Sequence, residues 1–480
     1  MAGDVRIAQR KVRLRDPHDC TDSADELTVY HAVFDTLVKR MNQGFVPYLA
    51  RHWSVSDDAR TWQFDLQPDH VFHDGTACDA AAVVKSLKRM ARPDKGYTLG
   101  APGVWAQYLA TAQITALNSR TVELRLDEPL ADLLDILEQA FIVAPAAIAR
   151  LDRGDTTNPI GSGPYRVTTA NDHEVTATRV ADHFAPGPHA TVTWISEPSA
   201  IMRQQRLVDG TVHVANDLAP QEAMKLAAVG CMALEYLSPV AIIYLLNAAG
   251  GPMSDARVRR AISLAVDRKS LIAEVLDGHG TPLLGIVSPV HFGAGETAGD
   301  IHDPDLARNL LADAGYGDGL LLEVDCPTRL PDEAEVLTAT LSGQLAAVGI
   351  SLTVHRHEER EAYAHMVRRK EIHDLCVFDS SPMSTFRVLY EKIDARVAGS
   401  WWQGYRNNKV EALLDSARAE PDGVARAAIY ASAYAELQAD PAWLTLYNPT
   451  RVIGLAGMDR SFTMPVDGVI DVTMLPADLA

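Results

Sequence analysis

Two hydrophobic periods take turns along this chain, and their alternation constrains its fold more than any other feature. TWQFDLQP and RTVELRLDEP switch between apolar and polar at nearly every residue, as strands with one buried face do. ACDAAAVVKSLKRMARP instead sets Val83, Val84, Leu87 and Met90 on one helical face and places Pro93 after its end. SDARVRRAISLAVDRKSLIAEVLDGHG reads as one helix, capped by Ser254 or Asp255, striped by Val258, Ile262, Ala265 and Val266, and stopped at Gly278. A further helix is expected in DPDLARNLLADAGYGDG, and VLTATLSGQLAAVGI runs as a helix into the strand SLTVHRH. Strand and helix patterns interleaved in this way predict an α/β or α+β protein.

The chain has 480 residues, more than one hydrophobic core usually supports, so at least two lobes are expected. Its composition, 47% hydrophobic and 22% charged, suits a globular fold. No apolar run reaches the ~18 residues that a membrane-spanning helix requires. A formal charge of -19 argues against nucleic acid or an anionic membrane as partner. Cys20, Cys78, Cys231, Cys326 and Cys376 are scattered without a CxxC pair, which excludes a zinc framework. Their odd number leaves at least one thiol free. MAGDVRIAQRKVRL has no apolar core of the secretory type, so the chain reads either as cytoplasmic or as the mature segment of an exported protein.

GxSxG, HExxH, a Walker loop and GxGxxG are all missing, so an enzyme is not expected and no cofactor is implied. HRHEEREAYAH offers His355, His357 and His365 to a metal. His355 and His357 share a strand face, but the following helix carries His365 elsewhere, and no metal site is assigned. HDLCVFDSSPMSTF is more informative. The apolar run from Leu375 to Phe378 reads as a buried strand that ends in Asp379 and turns at once. Strand ends are where open α/β sheets place ligands, although Asp also begins Asx-type turns.

Several blocks, in order, resemble one family. They are Asp16-Pro17-His18, VFHDGTACDAAAVVKSLKR, NPIGSGPYRV, DARVRRAISLAVDRKSLI, DPDLARNLLADAGYGDG, LSGQLAAVGISLTV and GYRNNKVEALLDSA. Together they resemble the family 5 solute-binding proteins of ABC importers, the oligopeptide, dipeptide and nickel-binding type. The resemblance implies a two-lobed periplasmic-binding fold that closes by a hinge on its solute. One lobe is expected over 1–246 and 447–480, with an inserted subdomain at roughly 36–160, and the other over 247–446. It also implies a monomer outside the cytoplasmic membrane that delivers its ligand to a membrane permease. A soluble sensor reusing the fold inside the cell is the alternative. Most of the blocks are structural: Gly161 and Gly163 permit a tight turn over Tyr165, and Arg259 and Arg268 are expected to be solvated or ion-paired on their helix.

The resemblance also points to ligand-binding residues. In peptide-binding members a strand-end Asp at the place of Asp379 meets the ligand's ammonium, with Ser380 beside it and Arg387 available to an anionic group. Departures near Cys376, Val377 and Pro382 put a plain dipeptide in doubt and leave opine-like, sugar-linked or metal-complex solutes open. Trp401 and Trp402 in GSWWQGY, and Trp105 after a Gly/Pro loop, are aromatic wall candidates, with core packing as the alternative. Residues after the DPH block add Thr21, Asp22 and Tyr30. Asn247 in YLLNAAGG resembles the family's Asn at the lobe crossing, with backbone hydrogen bonding as the alternative.

Overall fold

TWQFDL forms the strand Thr61–Leu66, and its pattern works out residue by residue: Trp62, Phe64 and Leu66 are buried while Gln63 is exposed. In the computed structural model it is a central strand of a four-stranded antiparallel sheet, in the order Ala50–Val55, Thr61–Leu66, Thr121–Arg125, Gln113–Ala116. The helix Ala80–Met90 begins on Asp79, whose carboxylate accepts from the Ala82 N–H at 2.9 Å. The structure describes residues 3–20, 23–42, 44–97, 103–157, 159–294, 301–328, 331–380, 384–457 and 462–479.

The chain divides into two compact units, Met1–Tyr236 with Arg451–Ala480, and Leu237–Thr450. The sequence expectation set these boundaries at 246/247 and 446/447. The strand Ala241–Leu246 lies within the second unit, where it pairs with Leu375–Ser380.

In the first unit a mixed sheet runs Tyr165–Ala170, Glu174–Arg179, Thr191–Ser196, Asp4–Gln9, Val214–Leu218. Asp4–Gln9 is parallel to both of its neighbours, with Ile7 opposite Trp194 and Val214. Two sequence blocks meet here. In GSGPY, Gly163 donates its N–H to the Val33 carbonyl at 3.0 Å, and the Gly161 carbonyl accepts from the His73 N–H at 2.8 Å. Tyr165 is buried beneath, its hydroxyl donating to the His189 carbonyl. The DPH block is a buried charge knot. Asp16 accepts from Arg89 and Lys95, and the His18 ring lies between the Arg89 guanidinium and the Phe141 carbonyl.

In the second unit the sheet order is Ile350–His357, Leu320–Pro327, Leu375–Ser380, Ala241–Leu246, and the first half of Trp443–Leu455. The first three strands are parallel, and Ala241–Leu246 is antiparallel to both of its neighbours. Tyr244, Leu322, Val324, Leu375 and Val377 form one core with residues of the helices Ala256–Ala265, Arg268–Leu276, Pro304–Asp313 and Ala334–Ala346.

The long helix read over 254–278 is in fact two helices. Val266 is extended, and Asp267 caps the second helix through the Ser270 N–H at 3.0 Å. Arg259 and Arg268, expected to be solvated or ion-paired on their helix, are buried. Arg259 donates to the Pro441 and Met253 carbonyls and pairs with Asp440. Arg268 reaches the Thr445 carbonyl at 2.7 Å and the Ser263 carbonyl at 3.2 Å. All five cysteines are free thiols.

Candidate functional site

Leu375–Ser380 is an interior strand of the second unit's sheet, and its two faces part company at the end. Leu375 and Val377 belong to the core, and Asp379 continues their row. Across the sheet Asp379 lies opposite Ile242, which in turn lies opposite Tyr447. The Tyr447 hydroxyl donates to Glu333 at 3.0 Å. Ile242 and Tyr447 are buried, but Asp379 is only half-buried, so its carboxylate stands where the apolar row gives way to solvent.

The other face carries Phe378 and Ser380. The Phe378 ring lies against Trp401 with centroids 4.6 Å apart, and the Ser380 hydroxyl accepts from Lys392 at 3.1 Å. Lys392 sits in a π-helical turn, Leu389–Ile393, a geometry that frequently marks functional sites. The same turn brings Glu391 onto Arg387 at 2.9 Å, so the buried Arg387 guanidinium already has a carboxylate beside it. Trp402 is half-exposed and donates its indole N–H to the Tyr405 carbonyl at 2.6 Å. The loop that carries both tryptophans is held by Lys370, whose ammonium donates to the Gly399 and Ser400 carbonyls. Burial lowers the Lys370 pKa to about 8. The structure therefore groups Ser380 and Trp401 on one face of the strand and Asp379 on the other.

The remaining sequence candidates are distributed differently. Trp105 is fully buried in the first unit, packs on Gly96, and donates its indole N–H to the His18 carbonyl at 3.0 Å. Tyr30 is equally buried, its hydroxyl accepting from the Arg15 N–H and its ring packed on Phe34 and Phe141. Asn247 ties a loop: its amide donates to the Ile372 and His373 carbonyls at 3.0 and 3.1 Å. Thr21, Asp22 and Pro382 lie outside the described residues.

A second strand end, in the first unit, repeats the logic of Asp379. Val214–Leu218 reads VANDL, and Asp217 adopts a left-handed φ of 52° at an irregularity in its pairing. Non-glycine residues take that conformation rarely, and often at binding positions. Asp217 pairs with Arg10 at 3.0 Å and Arg451 at 3.3 Å. Burial and then the charge of Asp217 push the nearby Asp25 carboxyl up to about 6. The sequence gives little sign of it, since Asn216 precedes Asp217 and Leu218 follows it. On the second unit's helices lies an open groove of about 550 Å³, lined by residues including Ser270, Glu274, Glu335 and Gln344. None of the sequence candidates lies in it.

Residues 44–386 match the family described as bacterial extracellular solute-binding proteins, family 5 Middle. This chain belongs to that family. It is similar to the glutathione-binding protein GsiB of Escherichia coli O1:K1, 29% identical over 351 residues, which are 71% of this chain and 66% of that protein. Among solved structures it resembles HbpA2 from Haemophilus parasuis, with a TM-score of 0.84 at 20% identity over 98% of this chain and 99% of the other. It also resembles AgaA from A. tumefaciens R10, solved with agropinic acid, with a TM-score of 0.77 at 22% identity over 94% and 93%.

As a family 5 solute-binding protein the chain is a binder and not an enzyme. The two-lobed fold anticipated from the sequence blocks is the fold of these relatives. No described helix is long and apolar enough to cross a membrane.

Proposed function

We propose that this protein captures a small peptide-like, opine-like or sugar-linked solute and passes it to the membrane permease of an ABC importer, acting outside the cytoplasmic membrane as a monomer. Asp379 carries this reading. A carboxylate that ends a buried strand where the sheet opens to solvent is placed to meet an ammonium or hydroxyl of a ligand. GsiB, a glutathione-binding protein, and AgaA, solved with agropinic acid, support a solute built on amino-acid chemistry, with ammonium and carboxylate groups to recognise. Ser380, Trp401 and Trp402 are proposed as secondary contacts. Arg387, held by Glu391, would act by shaping the turn as much as by touching the solute.

Mass spectrometry of whatever solute is released on mild denaturation identifies the ligand. Calorimetry with that solute then compares the native chain with Asp379→Asn, which keeps the shape and removes the charge. If the partner is an ammonium, affinity should fall by about 2–5 kcal/mol, because a desolvated cation loses its counter-charge. A loss below about 1.5 kcal/mol would indicate a hydroxyl partner. Unchanged affinity would remove Asp379 from the site.

A further inference from the structure

The parallel strands Leu320–Pro327 and Ile350–His357, together with the residues leading into Leu375–Ser380, gather an imidazole–carboxylate cluster at the opposite end of that strand from Asp379. Glu323 Oε2 lies 2.6 Å from His355 Nε2 and 3.6 Å from His373 Nε2. The two imidazoles stack with centroids 4.0 Å apart and planes within 4°. All three ligand-type atoms lie within 4.8 Å of one another, and the three side chains are between 36% and 48% exposed, so an ion in solution can reach them.

A buried carboxylate sets the orientation. Asp325 is fully buried, and it accepts from His373 twice: from the backbone N–H on Oδ2 and from ring Nδ1 on Oδ1, both at 2.8 Å. The same Oδ1 lies 2.8 Å from His357 Nε2. With the His373 proton held on Nδ1, the lone pair of Nε2 points into the cluster, toward a carboxylate oxygen that also carries only lone pairs. Two acceptors aimed at each other need a proton or a cation between them. Carboxylate, histidine and open ligand atom in series is the arrangement by which proteins aim an imidazole at a metal.

We propose that Glu323, His355 and His373 bind one divalent first-row transition ion, with Asp325 as the positioning residue. Two imidazoles and one carboxylate suit zinc, nickel, cobalt or copper better than the hard ions calcium and magnesium. Bond lengths near 2.0–2.1 Å place tetrahedral ligand atoms about 3.3 Å apart. The 3.6 Å separation is already close to that, and the 2.6 Å contact lengthens when the ion replaces the shared proton. Three protein ligands leave a coordination position for water or a solute group.

The other His–carboxylate cluster, Asp35 with His70 and His183, does not share this logic. His183 Nδ1 accepts from the Ala185 N–H, so Nε2 carries the ring proton and donates it to Asp35. That cluster is already satisfied as a hydrogen-bonded set.

Zn²⁺ titration of the untagged full chain by calorimetry tests the site, with Co²⁺ absorbance as a second readout of the coordination. Saturable binding of one ion per chain is expected. Each of Glu323→Gln, His355→Ala and His373→Ala should weaken it about tenfold or more, while His365→Ala, whose ring nitrogen accepts from Arg368 outside the cluster, should leave it unchanged. Circular dichroism establishes that each variant is folded; Glu323→Gln, half-exposed and close in shape, carries the test if a histidine variant is not. No saturable binding to the native chain would overturn the proposal. So would equal affinity in the folded Glu323, His355 and His373 variants, which would mean that the ion binds elsewhere.

Discussion

Replacing Gly161 by alanine pits two opposed effects against each other, and the structure says which wins. Neither Gly161 nor Gly163 has a positive φ, so alanine meets no conformational penalty there. Restricting the unfolded chain alone would favour Gly161→Ala by about 0.4–1 kcal/mol. Space is what forbids it. A Cβ on Gly161 would stand 2.0 Å from the Val33 carbonyl oxygen and 2.8 Å from Phe34 Cδ1, where real contacts do not fall below 3.0 Å. Val33 ends the helix Ala24–Val33, and backbone cannot rotate away as a side chain would. A shift of about 1 Å is needed, and it pulls apart the Gly163 N–H to Val33 bond and the His73 N–H to Gly161 bond. Breaking two buried backbone bonds costs about 3–5 kcal/mol, and after the entropic gain a net loss of about 2–4 kcal/mol remains. Gly154→Ala is the control. It has a φ of 78° and nothing within 4 Å of the added Cβ, so it should lose only about 1 kcal/mol, from the left-handed backbone. Urea unfolding followed by tryptophan fluorescence measures both. If Gly161→Ala proves no less stable than Gly154→Ala, close packing is not the reason for glycine in this turn.

Arg268→Met should destabilise the chain by about 3–5 kcal/mol in urea unfolding, since the Thr445 and Ser263 carbonyls lose a buried charged donor. Arg268→Lys should not rescue it, because a single ammonium cannot span both acceptors; a loss under 1 kcal/mol for either variant would count against the stitching role. His18 should remain neutral at pH 5.5 when its ring protons are followed by NMR. Burial, with Arg89 beside it, lowers its pKa to about 4 against the pull of Asp16, and its Nδ1 accepts from Arg89. The folded value lies below the unfolded 6.5, so protonation of the unfolded chain removes about 3 kcal/mol of stability as pH falls from 6.5 to 4. A His18 ring that titrates near 6.5 in the folded protein would refute this.

Much of the framework was legible because it depends on local pattern. Period-two runs became strands, and Asp255, one of the two caps read for its helix, accepts from the Arg257 N–H. What misled was direction and distance. A stripe from Val258 to Val266 looks continuous, yet Asp267 restarts the helix, because a strong N-cap can end one helix as readily as begin another. Arg259 and Arg268 were expected to be solvated or ion-paired; Arg259 does pair with Asp440, but both side chains are buried. Their acceptors, the carbonyls of Pro441 and Thr445, stand more than 170 residues away and leave no trace near them. Glycine in GSGPY was correctly read as a backbone requirement but for the wrong cause: it answers the approach of the Val33 carbonyl, not a turn angle. Trp105 and Tyr30 show that an aromatic placed by a neighbouring motif says nothing about which way its ring points, and both rings are core.

The candidate groups divide by the same rule. Asp379 could be proposed from sequence because its signal is contiguous: an apolar run ends and a carboxylate follows in the next position. Asp217 lacks that signal, because in VANDL the polar Asn216 already interrupts the apolar run, and only the sheet places it near a strand end. The imidazole cluster was not legible either. His355 and His357 were visible as one face of a strand, but the third histidine suggested by proximity, His365, belongs to the helix Arg360–Arg368, where its ring nitrogen accepts from Arg368. Its place is taken by His373, a residue of no distinction in HDLCVFDS, and the carboxylates come from LLLEVDCP, 48 to 50 positions upstream of it. Only the parallel pairing of Leu320–Pro327 with both neighbours sets Glu323 and Asp325 beside these rings. Alternation along a single strand states which residues share a face; which strand lies next to it, and in what register, is decided by the whole core. A ligand set drawn from one strand can therefore be proposed from the sequence, whereas one drawn from three has to wait for the sheet.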